Sequence, residues 1–288
     1  MRPGGPGEGG RWGRIVMTTA RQPTPVDEQE VEQLAAELGI GFCARRGRAT
    51  ADLLDDPGAV PPGYVLVVAG RDRQSRQWTF SAYEPGSKAP FMFHPNMAKV
   101  RVQTLRLGGR DPMVEAMGLT IGQTVLDCTL GLAADAIVAS FVTGPTGRVV
   151  GWESSAAIAL VVRWGLAHYT LPPRSELPPL VDAMRRIRVE WRDHREGLPL
   201  LPDNSFDVVY FDPMFRQPIR AAQPLAPLRS LADPRPLTLE SIDQARRVAR
   251  RRVVVKERAD GTELTRLQLP ERVQGKDSLV AFGVWRKQ

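Results

Sequence analysis

The stretch NSFDVVYFDPMF at 204–215 holds the residue types with the most chemistry in them. An apolar run ends in an acid, Asp212, followed at once by Pro213 and then by the aromatic Phe215. An amine conjugated to a ring is a poor nucleophile. An oxygen that accepts its N–H raises the electron density on nitrogen while a new bond to that nitrogen forms. Asp212 and the backbone carbonyl of Pro213 supply two such acceptors, and Phe215 can stack on a flat base. A base treated in this way must be held out of its own stack. Pro213 also lacks an N–H and stiffens the loop. Asp212, Pro213 and Phe215 are the candidate catalytic residues at this strand end.

A second set of residues suits a nucleoside-bearing ligand. In VLDCTLGLAADA (125–136) a buried strand ends at Asp127, a turn forms around Gly131, and a helix begins. Ligands of open α/β sheets sit beyond the carboxyl ends of the strands. Gly131 lets the backbone come close to one, and a helix N-terminus offers free N–H groups. The GxGxxG fingerprint is absent, which argues against a pyrophosphate and so against a NAD-dependent oxidoreductase. Glu153, in GWESS (151–155), ends the next strand and can accept both hydrogen bonds of a ribose diol. The plainer reading is an acid favoured by a helix dipole. Asp193 ends WRD (191–193) and is a candidate to face the base of the ligand, with a purely structural role equally open.

These residues need a scaffold that brings strand ends together. From 112 onward, Val-rich strands alternate with helices: 124–130, 148–154, 187–193, 206–213, 251–257 and 278–286 as strands, with helices near 133–143, 155–169, 178–186 and 239–251. That grammar predicts βαβ units and a mainly parallel sheet. A weaker strand is expected within 263–274. Upstream, 26–38 has helical periodicity and Gly39 is a good stop. A short helix fits 49–55, and 64–70, 77–83 and 90–95 look like strands. KVRVQTLRL (99–107) alternates like another. The expected organisation is a disordered tail at 1–24, with Met17 an alternative start, a small α+β domain at 25–107, and a catalytic domain at 108–288.

Composition narrows the class. Of 288 residues, 42% are apolar and 25% charged, as in an ordinary globular protein. No apolar run is long enough to span a membrane, and the first 24 residues lack the apolar core of a secretory signal. Two cysteines, Cys43 and Cys128, make no disulfide framework or zinc spacing and fit a reducing cytoplasm. Three histidines without a cluster predict no metal. The net charge of +7, with arginine clusters at 45–48, 185–188 and 246–252, suits a polyanion such as RNA. Within FMFHPNMAK (91–99), Asn96 and Lys99 are candidates for an RNA-facing edge, a solvated hairpin being the alternative. Cys128 is expected to be a buried small hydrophobe, Trp152 a core residue or a neighbour of the ligand. Lys256 and Glu257 are expected to shape the substrate side or to pair with each other.

Taken together, FDPMF resembles the [D/N]-P-P-[F/Y] motif of methyltransferases that act on exocyclic amines. LDCTLGLAADA, GWESS and FDPMF as a set resemble the bacterial small-subunit rRNA guanine-N2 methyltransferases, whose motif reads DPM and an aromatic. They look closer still to a related group of uncharacterised S-adenosyl-L-methionine (SAM)-dependent methyltransferases. The likeness covers about 90–288 and includes FHPNMAKVR, the RDP step at 110–112 and VVVKE at 253–257. It implies an α/β, Rossmann-like, seven-stranded SAM-binding fold with a small N-terminal domain. It implies SAM contacts at Ala134, Asp135, Glu153, Ser154, Asp193 and Asp212, beside the turn of Asp127 and Gly131, and RNA, as ribosomal RNA or the ribosomal subunit, as partner. Two departures bear on the substrate rather than the cofactor. Met214 stands where the second Pro is usual, and Gly131-Leu132-Ala133-Ala134-Asp135 lacks the arginine of the rRNA enzymes' Gly-x-Gly-Arg-Asp-like turn. The rival readings are a non-catalytic RNA-binding protein and a methyltransferase for a small molecule or protein.

Overall fold

A computed structural model describes residues 12–288 apart from 73, 88, 172–176, 215–225 and 277. The chain begins with β1 (Ile15–Thr19), α1 (Pro25–Leu38), β2 (Gly41–Phe42), α2 (Thr50–Leu54), β3 (Val65–Arg71), β4 (Trp78–Tyr83) and β5 (Phe91–Met92). Helices α3 (Asn96–Arg106) and α4 (Pro112–Met117) lead to β6 (Thr124–Asp127), α5 (Ala134–Thr143), β7 (Arg148–Glu153), α6 (Ala156–His168), α7 (Pro178–Arg185) and β8 (Ile187–Trp191). Then come α8 (His194–Gly197), β9 (Phe206–Phe211), α9 (Ala226–Leu231), α10 (Leu239–Val248), β10 (Ala249–Arg258), α11 (Glu263–Arg266), β11 (Glu271–Gln274) and β12 (Val280–Arg286).

Among the described residues the strands form two sheets, one ordered β2-β1-β3-β4-β5 and one of seven strands ordered β11-β12-β10-β9-β6-β7-β8. In the larger sheet β10, β9, β6, β7 and β8 run parallel, and β12 runs against both its neighbours. Strand periodicity sorts its side chains into two layers. Val125, Val149, Val208, Tyr210 and Val254 join the core shared with α5 and α6. Leu126, Val150, Val209, Phe211, Val253 and Val255 join the core that holds Ile242 and Ala245 of α10. Both faces are covered, as the near-continuous apolar strands require.

Helix ends follow local chemistry. Thr24 caps α1 in a reciprocal box with Asp27, Pro25 sits in its first turn, and Gly39 ends it at φ 71. Asp111 caps α4 by accepting from the amides of Met113 and Val114. The smaller sheet docks on α6: Phe80 stacks on Trp164 at 4.4 Å, and the Trp164 indole N–H donates to the Trp78 carbonyl at 2.6 Å.

Several expectations change. The tail assigned to 1–24 contains β1, whose five residues are all buried and which pairs with both β2 and β3. Met17 is at the middle of that strand, and Trp12, Ile15 and Val16 ahead of it are buried with it. The strand expected at 99–107 is the helix α3: Ala98 and Val102, four apart, are its buried positions. Packed on α5, that helix joins the two sheets' domains, so a boundary after 107 cuts through shared packing. The helix expected at 239–251 stops at Val248 and β10 begins at once. Of the weaker strand expected at 263–274, Glu271–Gln274 is the strand β11, and Glu263–Arg266 ahead of it is the short helix α11.

Candidate active site

Strands β6 and β9 are neighbours, and the chain winds away from them in opposite directions, through β7 and β8 on one side and β10 on the other. Their carboxyl ends therefore open a crevice. A solvent-open cleft lies there, with Gly131, Glu153, Ser154, His194, Asp212 and Pro213 in its wall. Phe215 lies outside the described residues.

The first turn is tied to the second strand. Glu153 accepts from the Gly131 amide at 3.0 Å through Oε2 and from the Ser155 amide at 2.9 Å through Oε1. The Ser154 hydroxyl also donates to Oε1, at 3.5 Å, so of the carboxylate's about four acceptor sites one, on Oε2, stays free for a ligand. Burial raises the pKa of Glu153, while the Ser155 and Gly131 amides oppose that rise. Asp127 is buried behind the turn and accepts from the Thr129 amide at 3.0 Å. Gly131 (φ 48) and Ala133 (φ 60) both sit left-handed. For Ala133 this costs on the order of 1–2 kcal/mol, strain of the kind that collects at ligand-binding turns.

The end of β8 is held differently from expectation. Asp193 caps α8 through the Arg195 amide and pairs with the Arg195 and Arg235 guanidiniums, each at 2.9 Å. Asp233 pairs with the same two arginines. This quartet fastens the end of β8 to the segment after α9, and His194, Asp233 and Arg235 present themselves to the cleft. The His194 ring meets Phe211 edge-on at 5.4 Å, and among the described residues its buried Nε2 has no partner. Burial lowers its pKa to about 4, so it is neutral at physiological pH. Below pH 6.5 the unfolded chain binds a proton that the folded His194 refuses. Stability should therefore fall as pH drops from 6.5 towards 4, by about 3 kcal/mol from this group. Urea unfolding of wild type and His194→Gln at pH 7 and 4.5 checks this. Equal losses in the two proteins would remove His194 as the cause.

Asp135, in the first turn of α5, faces away from the turn into a buried polar cluster. Its Oδ2 accepts from the Tyr210 hydroxyl at 2.7 Å and the Lys256 ammonium at 3.0 Å, and its Oδ1 from Arg101. Arg101 also pairs with Asp111 at 2.7 Å. Lys256 reaches Asp212 at 2.8 Å, and the Asp212 amide donates to the Thr129 hydroxyl at 2.6 Å. Burial pushes Asp135 up, but Lys256 and Arg101 outweigh it and hold the carboxyl well below the usual range. Asp212 is raised by burial, with Lys256 pulling it down.

Gly131, Glu153, Ser154, Asp212 and Pro213 thus meet at one cleft. Asp127, Ala134 and Asp135 lie behind its turn, and Asp193 stands beside it among arginines. Lys256 pairs with Asp135 and Asp212 and not with Glu257. Trp152 is core, its indole bonded to Glu190 at 3.0 Å. Cys128 is buried. Arg101, Asp111, Thr129, His194, Tyr210 and Asp233 were not foreseen. A signal existed for three residues of the cluster: Arg101 lies in FHPNMAKVR, Asp111 in the RDP step and Lys256 in VVVKE. Among the described residues no group of three or more His, Cys, Asp or Glu could hold a metal ion, and no helix is long and apolar enough to cross a membrane.

Comparison with known proteins bears on the family and the fold. The family profile described as "Putative SAM-dependent methyltransferase" matches residues 88–280, more than half of the chain. The chain is 40% identical over 243 residues to the uncharacterised protein YpiP of Bacillus subtilis (strain 168), covering 84% of this chain and 88% of that one. It is 31% identical over 167 residues to ribosomal RNA small subunit methyltransferase J of Laribacter hongkongensis (strain HLHK9), spanning 55% of each. Its fold is similar to the crystal structure of a SAM-dependent methyltransferase from Neisseria gonorrhoeae, with a TM-score of 0.53, 20% identity, and 94% and 95% of the two chains covered. With its profile match, its seven-stranded sheet and the cleft at its switch point, the chain belongs to the SAM-dependent methyltransferases, enzymes that use S-adenosyl-L-methionine as cofactor.

Proposed function

We propose that this protein methylates an exocyclic amine of an RNA base, with guanine N2 of ribosomal RNA as the favoured target. The observation that carries this reading is the presence of Asp212 and Pro213 in the wall of the same cleft as Gly131 and Glu153. The residues fit the cofactor: Glu153 keeps a free acceptor site on Oε2 for a ribose hydroxyl, Gly131 allows close approach, and the unpartnered His194 Nε2 borders the cleft. Ser154 and Asp212 would join them. Asp127, Ala134, Asp135 and Asp193 would shape the site from behind and beside it. Bound there, S-adenosyl-L-methionine would supply an electrophilic methyl group, its carbon–sulfur bond breaking as the carbon–nitrogen bond forms, with S-adenosyl-L-homocysteine as leaving group and the amine's proton lost to solvent. Asp212 and the Pro213 carbonyl would accept the N–H of the target amine, and those bonds strengthen as the amine gains positive charge. Phe215 would stack on the base. Holding the amine in line is the rest of the catalysis.

The net charge of +7 suits an RNA partner. The likeness to a protein named as a ribosomal RNA small subunit methyltransferase favours ribosomal RNA, and two free cysteines suit a cytoplasmic setting. The test is to supply labelled S-adenosyl-L-methionine with naked small-subunit RNA or small subunits from cells lacking this gene, then analyse the nucleosides. Label in N2-methylguanosine is the expected result. Label in another nucleoside would remove guanine N2. No label in either RNA, with calorimetry showing the cofactor bound, would move the substrate to a protein or small molecule.

A further inference from the structure

Lys256 follows three buried apolar residues, Val253–Val255, on an interior strand. Val255 pairs in register with Phe211, so Lys256 is level with Asp212 on the adjacent strand. An ammonium there is costly to bury, and an apolar side chain would serve folding as well or better. Yet the lysine is placed between two acids, Asp135 at 3.0 Å and Asp212 at 2.8 Å, with its side chain 20% exposed. Four carboxylates come to this end of the sheet: Asp127 from β6, Glu153 from β7, Asp135 from α5 and Asp212 after β9. Lys256 pairs with Asp135 and Asp212, Arg101 pairs with Asp135, and the Tyr210 hydroxyl completes the cluster.

We infer that Lys256 is a positioning residue for methyl transfer: anchored on Asp135, it fixes the Asp212 carboxylate at the cleft wall. Engaging one oxygen of Asp212 leaves the other for an amine donor. Arg101 braces the anchor from α3, so packing of the N-terminal part of the chain reaches the reacting end of the site. Lys256 touches neither cofactor nor substrate in this role; it acts through Asp212. The inference rests on the proposed role of Asp212.

Lys256→Met and Lys256→Arg test it beside Asp212→Ala. In Lys256→Met, kcat should fall roughly 100-fold, as a misplaced reacting group would cause, with cofactor affinity by calorimetry within about threefold. Losing an adjacent cation disfavours the ionised carboxyl, so the acidic limb of the pH profile should move up by about one unit or more. Lys256→Arg should restore both. The 13C carboxyl signal of Asp212, titrated without substrate, should shift upward in Lys256→Met and return in Lys256→Arg. If Lys256→Met does not fold, Lys256→Gln, which keeps a donor for the two acids but loses the charge, should displace the same titration in the same direction. An unmoved titration, or wild-type kcat and pH limb in Lys256→Met while Asp212→Ala is inactive, overturns the inference. If Asp212→Ala itself is active, the reading of Asp212 fails instead, whatever Lys256 does.

Discussion

Asp212→Ala should lower kcat for methyl transfer by roughly 10²–10³-fold, the usual loss when one group aimed at developing charge is removed. The cofactor should bind within a few-fold of wild type, because Glu153 and the Gly131 turn are held by their own backbone bonds. The loss should appear equally in kcat and kcat/KM, the pattern of an interaction made in the transition state. The Pro213 carbonyl would remain as the second acceptor, which is why residual activity is expected. Asp212→Asn keeps an acceptor oxygen but loses the charge that pairs with Lys256, and should fall between wild type and alanine. Single-turnover rates with saturating RNA and cofactor make the measurement. A kcat for Asp212→Ala within threefold of wild type would remove Asp212 from the reaction. A large rise in the cofactor Kd with kcat unchanged would place it in cofactor binding alone.

How much of this was legible in the sequence depends on the range of each signal. Asp127, Glu153 and Asp212 could be read because each stands at the end of a short apolar strand, and Gly131 because it sits in the turn that follows one; a strand followed by a turn and a helix is a local pattern. The parallel sheet followed from the same alternation. The misreadings came where two periods compete or composition misleads. VRVQTL alternates with period two, but Ala98 and Val102 are buried at a spacing of four and Arg101 turns inward between them. The Gly-, Arg- and Pro-rich residues around IVMTT disguised β1, which is only five residues long. Arg101, Asp111, Asp135 and Lys256 could not be joined from sequence, since contacts between distant segments leave no periodic trace. The same holds for Asp193, whose arginine partner at 235 comes from another loop.

Asp135→Ala should cost about 4 kcal/mol of stability, while leaving the cleft's cofactor-facing groups in place. The estimate follows from what the change strands. Breaking a buried pair by removing one partner costs about 3–5 kcal/mol, and an unsatisfied buried hydroxyl adds about 1–3 kcal/mol. Two compensations offset part of that sum: Lys256 keeps Asp212, and Arg101 keeps Asp111. The Tyr210 hydroxyl, fully buried on β9, loses the partner that holds it at 2.7 Å. At the size of this chain about 4 kcal/mol corresponds to a fall in Tm of roughly 10 °C, read by calorimetry or urea unfolding. Asp135→Asn should recover part of the loss, since its amide oxygen can still accept from Tyr210 or Lys256. A cost of 1 kcal/mol or less for Asp135→Ala would mean that the cluster contributes little to folding. A large loss of cofactor affinity at unchanged stability would mean that Asp135 faces the cofactor and not the cluster. The two outcomes separate a residue that builds the site from one that touches its ligand. The buried bonds of Asp135 to Arg101, Tyr210 and Lys256 favour the builder.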